Sequence, residues 1–216
     1  AKNPSSQKGV EFFVNNSGLF TISSSSSISS SMSSDKRSAT GDIDGDGINE
    51  IFFTHYQVGL FMCKKISGNW TTALVSNYSG IYSYTATDDV TLLDYDNDGD
   101  LDMVVSNNNM PSFVFKNKSR EQNKNHYLGI QLKGVGSNLN AVGAKINLYI
   151  KDQILSKEVI PARGFQSSVD YKQIFGLGQV AKVDSIKIIW PNATVSKVQI
   201  KKLDSVYVFN QAQLAS

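Results

Sequence analysis

The sequence reads DIDGDGINE at residues 42–50 and, 52 residues further on, DYDNDGDLD at residues 94–102. Both loops carry carboxylates at positions 1, 3, 5 and 9 and a glycine at position 6. Carboxylates at this spacing can supply the six or more oxygens that Ca2+ requires, and the glycine permits a sharp turn. Without a cation such clustered carboxylates repel one another. The sequence therefore predicts two calcium sites.

Each predicted site draws on a single loop. Side chains at positions 1, 3 and 5 bind the cation, position 7 contributes its backbone carbonyl, and position 9 closes the shell. Mg2+ suits these loops less well, because it prefers a small octahedral shell and keeps its waters. Asp and Gly clusters also form ordinary polar turns, but two matched copies favour calcium. The predicted ligands are Asp42, Asp44, Asp46, Ile48 and Glu50 in the first site and Asp94, Asp96, Asp98, Asp100 and Asp102 in the second.

The residues after each loop argue against an EF-hand. That motif needs a bidentate Glu at position 12 and a helix on either side. Position 12 is Phe53 in one loop and Val105 in the other. The segments 51–54 and 103–106 are apolar and rich in β-branched or aromatic residues, which predicts buried strands.

The repeat extends beyond the loops. Aligning residues 12–21 with residues 61–71 places Gly18 on Gly68, an offset of 50, and a partial third copy begins at Phe113. A period near fifty residues with short strands is typical of β-propeller blades. Residues 11–119 resemble FG-GAP/VCBS repeats through D-x-D-G-D-G-x-N-E and D-Y-D-N-D-G-D-L-D. The resemblance implies that residues 1–124 form about two blades, whereas a closed propeller takes about four or more.

The missing blades carry an expectation about partners. The chain starts at Ala1 with no Met and no apolar signal segment, which suggests a piece of a longer protein. We expect the open N-terminal edge to be covered by further blades or by a protein partner, since an exposed sheet edge invites aggregation.

A second domain is predicted at residues 125–216. The segments 127–133, 144–150 and 183–190 alternate between apolar and polar residues, with Gly, Asn or Pro between them. Period-two runs of this length predict antiparallel strands with one buried face, and several of them suggest a β-sandwich. The predicted fold class is thus all-β, with partial propeller-like blades and calcium loops followed by an antiparallel β-sandwich-like domain.

The second half contains a series of short motifs: NHYLG at 125–129, GVGSNLNAVGA at 134–144, GFQSS at 164–168 with Asp170, FGLG at 175–178, and VDSI at 183–186 running to Trp190-Pro191. Through these motifs it is similar to the ASPIC/UnbV domain found in relatives of cartilage acidic protein, where the domain follows FG-GAP/VCBS repeats. The resemblance implies a secreted, extracellular or cell-surface protein, or a periplasmic one in a bacterium, with calcium sites, adhesive or matrix roles and no established catalytic residue.

The charges are divided unevenly between the halves. Residues 1–124 carry ten Lys/Arg against fourteen Asp/Glu, whereas residues 125–216 carry eleven against five. The basic half could attract polyanions, but its lysines are scattered along alternating strands without a recognition module, so no nucleic-acid partner is expected. Glycans remain a candidate partner. The sequence contains no apolar run of eighteen residues, so no membrane span is predicted.

The sequence offers few candidates for catalysis. His55 and His126 are the two histidines, and neither belongs to a known catalytic motif. Asp88 and Asp89 are interpreted as a solvated turn, and Tyr82 and Tyr84 as packing on one strand face rather than a sugar platform. We therefore expect a noncatalytic, calcium-stabilised extracellular adhesion or assembly module. The alternative is a carbohydrate-binding or polysaccharide-degrading fragment whose active residues lie outside this chain.

Overall fold

The computed structural model describes residues 13–16, 19–22, 35–55, 59–75, 87–107, 109–162 and 168–214. Within these ranges the protein is all-β, as predicted, with two short helices at Ser119–Asn123 and Gln211–Leu214. None of the helices in this part of the chain has the length and apolar character needed to cross a membrane. The strands are β1 (Phe13–Asn16), β2 (Leu19–Ile22), β3 (Asp35–Gly41), β4 (Glu50–His55), β5 (Gly59–Ile66), β6 (Asn69–Leu74), β7 (Thr87–Leu93), β8 (Asp102–Asn107), β9 (Phe113–Phe115), β10 (His126–Lys133), β11 (Lys145–Ile150), β12 (Gln153–Glu158), β13 (Gln173–Gly178), β14 (Ser185–Ile189), β15 (Val195–Val198) and β16 (Ser205–Asn210).

The chain forms two compact units whose segments alternate along the sequence. The amino-terminal unit comprises residues 1–40, 49–91 and 104–114. The carboxyl-terminal unit comprises residues 41–48, 92–103 and 115–216. The second acidic loop and positions 1 to 7 of the first therefore belong with the carboxyl-terminal half. The domain boundary predicted at residue 124 rests on the two family resemblances, and it stays a prediction.

Strands β3, β4, β5 and β6 form a four-stranded sheet in sequential order, and β7, β8 and β9 form a second sheet. The β4–β5 and β5–β6 pairs are antiparallel. Phe53 of β4 and Cys63 of β5 form a small buried apolar cluster, and Phe61 and Trp70 pack against it. The Cys63 sulfur lies 3.3 Å from Thr72 Oγ1 within this core, as expected of a structural thiol.

One prediction about local structure is confirmed. A strand follows each acidic loop, because β4 begins at Glu50 and β8 at Asp102, and position 12 of each loop is buried. The two aligned segments of the sequence also each contain an antiparallel hairpin: Asn16 pairs with Leu19 between β1 and β2, and Ile66 pairs with Asn69 between β5 and β6. The offset between the two hairpins is 50 residues, the one given by the sequence alignment.

The carboxyl-terminal unit contains two β-sheets that share one apolar core. One sheet has the order β13-β10-β16 and the other β12-β11-β14-β15. The three alternating segments of the sequence correspond to β10, β11 and β14. Both sheets contribute to a single apolar core, as the pattern predicts. Its buried members are Leu128, Ile130, Leu132, Ala141, Ala144, Ile146, Leu148, Ile150, Val159, Phe175, Leu177, Val183, Ile186, Ile188 and Trp190.

One strand pair departs from the antiparallel prediction. β10 pairs with β16 in parallel, from Leu128 opposite Ser205 to Lys133 opposite Asn210. A parallel pair needs a long crossover, and here the whole second sheet lies between the two strands in sequence. Alternating hydrophobicity indicates which face of a strand is buried but not the direction of its neighbour, so the sequence pattern missed this pairing.

Candidate cation-binding loops

The two acidic loops share one backbone conformation. Position 4 has positive φ in both, 72° at Gly45 and 61° at Asn97. Position 6 does as well, with 92° at Gly47 and 99° at Gly99. These left-handed residues turn the chain so that side chains at odd positions converge. The repeat seen in sequence is therefore also a repeat in geometry.

The loops also share their internal hydrogen bonds. The position 1 carboxylate accepts the position 6 N–H, from Gly47 to Asp42 Oδ2 at 2.8 Å and from Gly99 to Asp94 Oδ1 at 3.4 Å. The position 5 carboxylate accepts the position 7 N–H, at 2.8 Å in the first loop and 3.3 Å in the second. Backbone amides thus fix the orientations of these carboxylates.

The second loop gathers three of its predicted ligands. Asp94, Asp96 and Asp102 each offer a carboxylate oxygen, and these oxygens lie within 4.8 Å of one another. Asp102 is fixed by the N–H groups of Tyr95 at 3.0 Å and Asn117 at 2.8 Å. Asp96 Oδ1 is buried and has no hydrogen-bond partner in the described part of the chain. Three clustered carboxylates, one of which has an unsatisfied buried oxygen, fit a hard metal ion.

Burial shifts the pKa of one carboxylate in the second loop. It raises the pKa of Asp102 above the ordinary value, although the amides of Asn117 and Tyr95 oppose the shift. The pKa of Asp42 in the first loop is raised for the same reason, against the N–H of Gly47. A carboxylate that is costly to ionise in its site gains most from a nearby positive charge.

The predicted ligands of the first loop differ in their exposure to solvent. Asp42 is 6% exposed, Asp44 is half-buried, and Asp46 and Ile48 are exposed. Glu50 begins β4 in the amino-terminal unit, where it is 1% exposed. A glutamate so deeply buried at a strand start is unusual unless it has a partner.

Asp100 has a role that the ligand pattern did not include. The pattern assigns position 7 only a backbone carbonyl, yet the Asp100 side chain is 5% exposed and accepts hydrogen bonds from Ser119 Oγ at 3.3 Å and Arg120 N at 3.1 Å. Its Oδ1 is buried without a partner among the described residues. Burial raises the pKa of Asp100 to about 6. Asp98, Asp100 and the exposed Glu121 form a further carboxylate group whose oxygens approach within 4.8 Å.

Two lysines partly neutralise the second loop. Lys172 Nζ lies 2.9 Å from Asp94 Oδ2 and 2.6 Å from Asn97 Oδ1, and the ion pair is buried, with side chains 9% and 1% exposed. Lys116 contacts Asp96 and lies 3.2 Å from Asp98 Oδ2. The Lys116 ammonium lowers the pKa of Asp96. The loop therefore already receives positive charge from the protein.

The FGLG segment explains why the loops belong to the carboxyl-terminal unit. A Cβ at Gly176 would lie 1.9 Å from Asp42 Oδ2 and 2.7 Å from Gly45 Cα, so the first loop packs directly on β13. Gly178 N donates to Gly45 O at 2.8 Å. A Cβ at Gly99 would lie 2.4 Å from the Tyr127 ring of β10. Both loops thus lie against the β13-β10-β16 sheet.

Two asparagines outside the loops fix them further. Asn117 Nδ2 donates to Ile43 O at 2.5 Å and to Leu101 O at 2.9 Å, so one amide joins the two loops. Asn125 Nδ2 donates to Asp44 O at 2.8 Å. Asn117 begins an Asn-x-Ser sequence, but its amide is committed to these carbonyls rather than available to a glycan.

Comparison with known proteins adds one finding. Residues 134–216 match the family model described as ASPIC and UnbV. The match covers β11 to β16 and confirms the ASPIC/UnbV resemblance for that part. A search of curated proteins found no match.

The remaining sequence candidates have the following positions. His126 lies in β10, where Nδ1 is 2.8 Å from Asp204 Oδ2, and Asp204 also accepts the Tyr127 N–H at 3.1 Å. The interpretation of Asp88 and Asp89 as a turn is wrong, because both lie in β7. The strand ends just before the second acidic loop, and the two adjacent acids concealed its pattern in the sequence. Tyr82 and Tyr84 lie outside the described residues, and His55 is described only through its place at the end of β4.

Sequence reasoning missed the residues that support the loops from elsewhere. Lys116, Asn117, Lys172 and Gly176 lie 14 to 74 residues from the nearest loop, so no local pattern links them to it. Gly176 alone carried a signal, since it lies in the FGLG motif, and the structure places that motif in β13, where glycines often mark close approach of another backbone.

Replacing Gly176 should destabilise the protein through a steric clash. Gly176→Ala places a methyl group against Asp42, and overpacking of this kind costs about 1–3 kcal/mol or more. Gly136→Ala is the control, because its Cβ meets open space and only left-handed strain of about 1 kcal/mol arises. Urea unfolding should rank Gly176→Ala as the more destabilised. Equal losses would contradict the packing of the first loop on β13.

Removing the Lys172 ammonium should make stability more dependent on a metal ion. Lys172→Met leaves Asp94 buried without its cation, which costs about 3–5 kcal/mol in chelator. A divalent ion should recover a larger share of stability in this variant than in the wild type. Denaturant titrations in EDTA and in millimolar Ca2+ measure both terms. A variant as stable as the wild type in EDTA would contradict the ion pair.

The raised pKa of Asp100 predicts a pH dependence. Its pKa is about 6 in the folded protein against an ordinary 3.8, so the folded state binds the proton more tightly and stability falls as pH rises from about 4 to about 6. Above that window the loss is complete. Asp100→Asn removes this titration, so the difference in melting temperature between the two proteins in EDTA should change across the window. A constant difference from pH 4 to 7 would contradict the shift.

Proposed function

We propose that this protein is a noncatalytic, calcium-stabilised module of an extracellular or cell-surface adhesion or assembly protein. One observation carries the proposal. In the second loop, Asp94, Asp96 and Asp102 each bring one carboxylate oxygen within 4.8 Å of the others. Asp96 also has a buried oxygen, Oδ1, that has no hydrogen-bond partner among the described residues. The backbone and hydrogen bonds of that loop recur in the first. An arrangement built twice from hard oxygen donors is best explained by cation binding.

Calcium is the cation that this donor set favours. All the side-chain ligands are carboxylates, and the loops are nine-residue turns that can accommodate a large and irregular shell. Bound calcium would offset the repulsion and burial that raise the pKa values of Asp42 and Asp102. Its role is structural: binding to the folded state alone adds about 2.7 kcal/mol to stability at a hundredfold excess over Kd.

The amino-terminal repeats fit FG-GAP/VCBS units arranged as propeller-like blades. Three features support this proposal: the loop spacing of 52 residues, the hairpin offset of 50, and the sequential order of β3 to β6 in one sheet. Sheets of four strands in sequential order are the building unit of propellers. Further blades of a longer protein, or a protein partner, would then complete the N-terminal edge.

The proposed location and the absence of catalysis rest on two further features. Extracellular modules bind calcium with dissociation constants of about 0.1–1 mM and work at calcium concentrations in that range. At such concentrations the second loop would bind the ion even though lysines already neutralise part of its charge. The His126–Asp204 pair engages the backbone at the start of β10 and so serves packing there. The resemblance to the ASPIC and UnbV family agrees with a secreted or surface protein.

Metal-dependent melting tests the calcium proposal. Raising Ca2+ from excess EDTA to a hundredfold over Kd should increase the melting temperature by about 5–10 °C, as about 2.7 kcal/mol does in a protein of this size. Asp96→Asn should remove much of the shift, because it takes a charge from the second site. Asp152→Asn, an exposed change of equal charge in the β11–β12 turn, is the control.

Three results would contradict the proposal. The melting temperature could be the same in EDTA and in millimolar Ca2+. Mg2+ could give the full shift at equal concentration. Asp96→Asn and Asp152→Asn could respond alike to calcium.

A further inference from the structure

The outward face of the β12-β11-β14-β15 sheet carries a group of lysines. Along β11 and β14 the buried residues alternate with exposed or half-buried ones, and Ile146, Leu148, Ile186 and Ile188 enter the core. The residues between them point to the other face. On that face lie Lys145, Asn147, Tyr149, Ser185, Lys187 and Ile189, continued by Val195 and Lys197 of β15 and by Ile154, Ser156 and Glu158 of β12.

The strand register brings three of these lysines together. Lys187 lies directly opposite Lys197 in the β14–β15 pair. Lys187 is also opposite Asn147 of β11, which makes Lys145 its diagonal neighbour. Adjacent strands are about 4.8 Å apart, so the long side chains of all three reach a common area. These residues are up to 52 positions apart in sequence, which is why they look scattered there.

Little on this face balances the positive charge. Glu158, opposite Lys145, is the one acid among the outward positions named above, and its ion pair with Lys145 is 3.9 Å long and exposed. Like charges directly opposite each other in a sheet destabilise it. The Lys187–Lys197 pair is therefore unfavourable in the isolated fold, and an anion lying between the two ammoniums would reverse the sign of that interaction.

We propose that this lysine face binds an acidic polysaccharide. Lysine is a point charge that suits single carboxylate or sulfate groups, and the face has no arginine to form the bidentate fork typical of phosphate recognition. Asn147 and Ser156 lie in the same row as Lys187 and Lys197, joined by a 2.7 Å hydrogen bond, and offer polar groups to sugar hydroxyls. None of these residues belongs to the acidic loops, so the proposal is independent of the cation.

The face fits other polyanions less well. Proteins that bind single-stranded nucleic acid stack bases on aromatic side chains, and Tyr149 is the one aromatic residue at the outward positions of these four strands. An extended acidic peptide gains most of its affinity by pairing with a sheet edge. The lysines are centred on β14, an interior strand, where the backbone already has two neighbours.

The test compares two double variants of equal charge. Lys187→Gln with Lys197→Gln removes the opposed pair, and Lys201→Gln with Lys202→Gln removes two exposed lysines outside the face. Binding of fluorescein-labelled heparin oligosaccharide and polygalacturonate is measured by anisotropy at several salt concentrations. The first variant should bind the polysaccharide that the wild type binds at least tenfold more weakly, with a salt slope lower by about 2. The second should stay within twofold of the wild type.

Melting temperature and competition complete the design. The first variant should melt no lower than the wild type, since it loses a like-charge pair, so weaker binding would not reflect unfolding. An oligo(dT) strand and polyglutamate serve as competitors of matched charge, and both should displace the polysaccharide poorly. Binding should also persist in EDTA, which separates this proposal from that of the calcium loops.

Four outcomes would overturn the proposal. Neither labelled polysaccharide could bind to the wild type. The two double variants could lose affinity equally, which would indicate net charge alone. Oligo(dT) or polyglutamate could bind more tightly than the polysaccharides, with the same dependence on Lys187 and Lys197. Binding could disappear in EDTA, which would assign it to the acidic loops.

Discussion

The carboxyl-terminal unit depends on how the protein neutralises carboxylates that it has buried. Asp42 lies against Gly176 of β13, and Asp94 and Asp102 are nearly inaccessible to water. An ionised carboxylate taken out of water is costly unless it is paired or hydrogen-bonded. Backbone amides, lysines and, in our proposal, calcium each offset part of the free energy lost when these carboxylates leave water. The position of the loops, the glycines of β13 and the supporting asparagines all follow from this constraint.

The two loops resolve the constraint in different ways. In the first, Asp42 accepts the amides of Asp46 and Gly47 and lies against Gly176. The charge of Lys157 also acts to lower the pKa of Asp42, against the larger effect of burial, but no ion pair joins these two among the described residues. In the second, the Lys172 ammonium reaches Asp94 from outside the loop. A lysine and a calcium ion near one carboxylate partly replace each other. The second site should therefore retain more of its shape in chelator than the first, although both loops have the same sequence pattern.

Some of this structure could be predicted from the sequence because the signals are local. Glycine or asparagine at positions 4 and 6 sets the turn, alternating residues indicate β10, β11 and β14, and the apolar segments after the loops indicate β4 and β8. Contacts between distant segments left no such signal. The parallel β10–β16 pair, the clash-free approach of Asp42 to Gly176, and the Lys187–Lys197 pair are all set by register. The side-chain role of Asp100 was missed because a position that normally contributes only its carbonyl here also buries its side chain.

The parallel pairing of β10 with β16 also bears on how the domain forms. Leu128 lies beside Ser205, 77 residues further along the chain, so the three-stranded sheet is incomplete until almost the whole domain has been synthesised. Contacts this distant in sequence carry a high loop-closure entropy and slow the search for the native state. The first acidic loop packs on β13, which pairs with β10 in that sheet, and Gly176 at the point of contact lies 126 residues beyond the end of the loop at Glu50. This loop is therefore synthesised long before the strand that supports it.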